Sequence, residues 1–151
     1  MSNSMRRLRL VSEPNSSYKQ PRGTNQKCSD AVLFHAFRDY FAGQTQETMI
    51  VVALNLDWHV VGYSEISRGK LNAVPLPITS IMQFMLLINC MDFVVLHNHP
   101  GAIEMPRPSQ ADVQGTMQLM NACGVMEMRL VDHIICGTNS YYSFKKNGLI
   151  K

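Results

Sequence analysis

The stretch VVLHNHPGAIEMPRPSQAD, Val94 to Asp112, closes an apolar run with two histidines and, after a Pro-rich loop, sets a serine and an aspartate three apart. In a strand, residues i and i+2 share a face, so His97 and His99 can present their imidazoles side by side while Asn98 points away. Pro100 and Gly101 then stop the strand, which puts the pair at its mouth. Neutral imidazole is a common zinc ligand, and a catalytic zinc typically takes three protein ligands and keeps one position for water. Asp112 is the natural third ligand. It falls in the first turn of the next helix, where positions i and i+3 share a face, so Ser109 and Asp112 can both look back at the histidines. The same letters also read as a helix cap, Ser109 as N-cap with Asp112 in the favourable first turn. Capping and ligation are compatible. A nuclease reading of HNH fits less well, because that motif needs further metal and phosphate ligands on a ββα unit, whereas here an apolar strand enters and prolines leave.

Outward from this stretch the periodicities alternate between helix and strand. Ser29 and Asp30 are candidate N-caps for a helix through AVLFHAFRDYFAG that ends at Gly43. TMIVVALNL (Thr48 to Leu56) reads as a buried strand, Asp57 and Trp58 as a turn, and HVVGYSEIS (His59 to Ser67) as the hairpin partner. TSIMQFMLLINC (Thr79 to Cys90) is apolar, Met-rich and of helical length, which predicts a buried core helix rather than a Met-based metal site. DFVVLH (Asp92 to His97) is a strand, SQADVQGTMQLMNACG (Ser109 to Gly124) a helix closed by Gly124, and MEMRLVDHIICG and SYYSF two more strands. The order α-β-β-α-β-α-β-β predicts an α/β (α+β) fold, one mixed sheet with flanking helices.

The chain has 151 residues, 46% of them hydrophobic and 17% charged, enough for one domain with a sizeable core. A net charge of +3 is too weak to argue for nucleic acid. Cys28, Cys90, Cys123 and Cys136 form no C-x-x-C pair, so neither a zinc ribbon nor a thioredoxin-like site is indicated. No apolar run is long enough to span a membrane and no signal peptide is evident, so the expected location is cytoplasmic. Residues 1–27 are polar and read as a flexible arm, with LRLV (Leu8 to Val11) resembling a short strand and RRLR (Arg6 to Arg9) a solvated charge cluster.

HNHPG followed by PSQAD, with SEISRGKLNA upstream and LVDHIICG and YYSFKKNGLI downstream, resembles the RadC family within the JAB/MPN (JAMM) metalloprotease fold, a cytidine-deaminase-like architecture. The resemblance runs from about Cys28 to Ile150 and implies one RadC-like domain over 28–151. It implies Zn2+ as cofactor, His97, His99 and Asp112 as its ligands, and Ser109 as a group that helps stabilise the oxyanion. Glu65, four residues before Gly69, matches the family's glutamate and would be the general base that takes a proton from water and passes it to the leaving amine. The implied partner is a peptide or protein substrate cut at a peptide or isopeptide amide. Other roles in the same family and fold are a non-catalytic interaction module and a DNA-repair or mobile-element factor. The helix-hairpin-helix segment of long members is not expected here. The loop Pro100 to Pro108 is longer than is usual in the family, HPGA stands for HPSG, and LPITS (Leu76 to Ser80) replaces HPRE. Glu104 reads as a solvent-facing loop charge, and His133 in VDHIICG as a structural, hydrogen-bonded residue.

Overall fold

The computed structural model describes residues 27–69, 76–102 and 104–151. The arm expected over 1–27, with its LRLV and RRLR stretches, lies outside them except for Lys27. The elements are α1 (Asp30–Phe41), β1 (Thr48–Leu54), β2 (Val60–Arg68), α2 (Ile78–Ile88), β3 (Asp92–Asn98), α3 (Gln110–Met126), β4 (Arg129–Cys136) and β5 (Tyr141–Ser143). They build one five-stranded sheet in the order β2-β1-β3-β4-β5. Only β3 and β4 run parallel, and α3 connects them. The expected mixed sheet with flanking helices is the fold observed.

Alternation along the strands divides the core between the two faces of the sheet. Ile50, Val52 and Leu54 of β1, with Val94 and Leu96 of β3, meet Leu33, Phe34 and Phe37 of α1. Met49, Val51, Phe93 and Val95 face the other way and meet Met82 and Met85 of α2 and Leu119 of α3. β1 and β3 are buried along their whole length, as the interior strands of a covered sheet should be. Full burial of a side chain such as Phe37 is worth roughly 1.5–3 kcal/mol.

The element ends follow local chemistry. Ser29 caps α1 by accepting from the Val32 N–H at 3.2 Å, as its sequence position suggests. β1 stops at Leu54, short of Leu56, because the Asn55 side chain accepts from the Asp57 and His59 N–H groups and folds the turn. Trp58 in that turn has φ 66. Gly124 does not close α3. The helix runs through it to Met126, and Glu127 takes the left-handed capping position at φ 55, its N–H bonding back to the Cys123 carbonyl. α2 is also less buried than its composition suggests. Ile81, Met82 and Met85 pack inward, whereas Leu86 and Leu87 stand more than half exposed. All four cysteines are buried free thiols. Among the described residues, no helix is long and apolar enough to cross a membrane.

Candidate metal centre

β3 and β4, being parallel, end on the same side of the sheet, and the candidate site lies at that end. His97 is the penultimate residue of β3 and is 1% exposed; His99 follows just beyond the strand, its N–H held by the Cys136 carbonyl at 3.0 Å. The loop from Pro100 returns the chain to Ser109, where α3 begins. Ser109 and Asp112 form a reciprocal capping box: the Asp112 N–H donates to Ser109 Oγ at 3.1 Å, and the Ser109 N–H donates to Asp112 Oδ2 at 2.7 Å. The Ser109 hydroxyl also donates to Oδ2, at 2.7 Å. Two of these bonds hold Oδ2 of the carboxyl group and leave Oδ1 turned to His97.

The result is a convergence of ligand atoms. His97 Nε2 lies 3.1 Å from His99 Nε2 and 3.3 Å from Asp112 Oδ1, and His99 Nε2 lies 3.6 Å from Asp112 Oδ2. One ligand atom from each residue falls within 4.8 Å of the others, the spacing around a single ion. Burial pushes His97 down to about 4, against the pull of the Asp112 carboxylate, so its imidazole is neutral at pH 7. Burial works to raise Asp112, but the His99 imidazole beside it, the neighbouring His97 ring and the two bonds from Ser109 outweigh it and hold the group well below the usual carboxylate range. A carboxylate and two imidazole nitrogens crowded at this distance form an acceptor-rich cluster that a divalent cation relieves. The nitrogen and oxygen donors suit zinc.

A second set of bonds lies behind His97. Its Nδ1 meets His133 Nε2 at 2.8 Å, and His133 Nδ1 meets Thr116 Oγ1 at 2.7 Å. His133 is fully buried, stacked on Phe144 with ring centroids 4.6 Å apart, and burial drives its pKa well below that of a free imidazole.

Comparison with known proteins places the chain in one family. The family described as the RadC-like JAB domain matches residues 27–149. The chain belongs to the RadC family. A UPF0758 protein of Clostridium beijerinckii is 34% identical over 105 residues, covering 70% of this chain but only 45% of that protein.

The other residues singled out in this RadC chain stand elsewhere. Glu65 is paired across the ladder with Ile50, whose side chain faces α1. Its carboxylate takes both the Nε–H of Arg68, at 3.0 Å, and an Nη2–H, at 2.6 Å, and accepts from the Tyr40 hydroxyl of α1. Those bonds, Arg68 first, hold Glu65 below the usual carboxylate range. Glu65 therefore sits on the α1 side of the sheet and outside the ligand cluster. Glu104 is exposed, and His133 is buried and hydrogen-bonded.

Two residues near the centre carried no sequence signal. Asn98, between the histidines, is 4% exposed, and its carboxamide accepts from the Thr48 N–H at 2.7 Å and donates to the Gln46 carbonyl at 3.3 Å. Asn98 thus clasps the backbone on either side of Glu47. The antiparallel register pairs Met49 with His97, and two further steps bring Glu47 level with His99. By strand alternation that is the side of the sheet that carries His97. This placement of a carboxylate at the end of β1 was legible only once the pairing of β1 with β3 was known. Beside His99, a groove of about 410 Å³ runs between the end of α1 and the loops, lined by Arg38, Gln44, Thr45, Gly101 and Thr138.

Proposed function

We propose that this protein is a zinc-dependent hydrolase of the JAMM type, cutting a peptide or isopeptide amide in a peptide or protein substrate. The observation that carries the reading is the convergence of His97 Nε2, His99 Nε2 and an Asp112 carboxylate oxygen at the open end of the sheet. His97, His99 and Asp112 would hold the metal, and zinc supplies Lewis acidity there, bringing the pKa of water to about 7 and polarising an amide carbonyl. The groove beside His99 gives an extended peptide a place to lie.

A carboxylate must take the proton from water and hand it to the leaving amine. Glu65 is the residue implied by family resemblance, and for that task it would have to exchange Arg68 and Tyr40 for the water. Glu47 is the second candidate, and what favours it is its register beside His99. Ser109, proposed to help stabilise the oxyanion, would redirect its hydroxyl proton from Asp112 Oδ2; otherwise it serves by fixing the carboxylate. The four buried thiols suit a reducing, cytoplasmic location.

The test is metal content and uptake in purified protein, wild type against His97→Ala and Asp112→Ala. Near-stoichiometric zinc in the wild type and its loss in both variants is expected, followed by amide cleavage with the zinc-loaded protein. A folded wild type that takes up no supplied zinc would refute the hydrolase.

A further inference from the structure

The bonds behind His97 specify where its proton sits. Thr116 lies one helical turn after Asp112, and its Oγ1 is 2.6 Å from the Asp112 backbone carbonyl. A carbonyl oxygen has no proton to give, so at this distance the hydroxyl hydrogen points to the carbonyl. Its single proton being committed, Thr116 Oγ1 can only accept from His133, 2.7 Å away. His133 Nδ1 must then carry a hydrogen. With Nδ1 already protonated, a second hydrogen on Nε2 would put an unpaired charge on a fully buried ring, so Nε2 is the acceptor and the 2.8 Å contact with His97 places the hydrogen on His97 Nδ1. His97 Nε2 is then left as a lone pair, aimed at His99 and Asp112. The opposite order of donors would set Thr116 Oγ1 lone pairs against a carbonyl oxygen at 2.6 Å and place a hydrogen on His97 Nε2, where a ligand lone pair is needed.

We propose that Thr116 and His133 are positioning residues that fix the tautomer of His97, so that Nε2 is presented to a metal. The inference rests on the metal-centre reading above. Outer partners of metal-bound histidines are usually carboxylates, carbonyls or water. Here the partner is a neutral imidazole, a weaker acceptor than a carboxylate, which leaves His97 less electron-rich as a ligand. α3 supplies both Asp112 and, one turn on, the hydroxyl that begins the relay. Docking of this one helix therefore brings the carboxylate to the site and sets the tautomer of the buried histidine together.

Two measurements test this. In metal-free wild type, nitrogen-15 NMR should find His97 and His133 both protonated on Nδ1. A hydrogen on His97 Nε2 overturns the proposal, whatever any variant does. Thr116→Val keeps the volume but removes the acceptor; it is expected to fold and to bind zinc roughly 10–100-fold more weakly, with Thr116→Ser restoring the affinity. Equal zinc affinity in wild type and folded Thr116→Val refutes the relay while leaving the metal centre standing. A wild type that binds no zinc refutes the metal centre, and with it the purpose assigned to the relay.

Discussion

Asn98→Ala isolates the one residue of the HNH triplet that faces away from the metal ligands. The Thr48 N–H it accepts from is wholly buried, and the 2.7 Å bond to Asn98 Oδ1 is of good length. Truncation leaves that donor without this acceptor, a loss of about 1–3 kcal/mol for a buried amide. The second bond, to the Gln46 carbonyl at 3.3 Å, contributes less, since Gln46 is exposed and water can replace it. The expected total is about 2 kcal/mol, or roughly 8 °C in Tm for a domain of this size. Urea denaturation measures the loss, and hydrogen exchange at the Thr48 amide locates it. The two bonds flank Glu47, so zinc-loaded Asn98→Ala should also lose turnover while the three ligands remain. A change below about 0.5 kcal/mol with slow exchange at Thr48 would refute the clasp.

Glu47→Gln should retain zinc and abolish amide cleavage, whereas Glu65→Gln should retain both; loss of cleavage in Glu65→Gln alone would return the base to β2. Asp132→Ala should cost roughly 3 kcal/mol or more in chemical denaturation, because the buried carboxyl accepts from the Ser143 hydroxyl and from the His133 and Lys145 N–H groups; a loss under 1 kcal/mol would contradict that count. Metal-free protein should lose stability on acidification. His97 titrates near 6.5 when unfolded and at about 4 when folded, so between these values the unfolded chain binds the extra proton and stability falls as the pH falls, by about 3 kcal/mol at the lower limit. His133, lowered in the same direction by burial, adds to the effect. Denaturation curves at pH 7 and pH 4.5 in the presence of a chelator check this, and equal midpoints would show that neither ring is buried neutral.

Local sequence determined most of the elements and pointed to the candidate ligands, because strand alternation and the helix cap act over a few residues. The strand alternation of VVLHNH places His97 and His99 together, and the spacing in SQAD produces both the cap and the aimed carboxyl. The helix through Gly124 and the half-exposed α2 escaped that reading, since a glycine signal competes with packing of the whole helix and an apolar run does not say which of its faces meets a partner. Tertiary structure alone decided the surroundings of the ligands. Glu47 comes level with His99 through the pairing of β1 with β3. Glu65 goes to Arg68 and Tyr40, because its strand position faces α1. His133, which looked like an isolated structural histidine, meets His97 only because β3 and β4 lie side by side in parallel. Strand register joins residues far apart in the chain, and no periodicity within one segment specifies it.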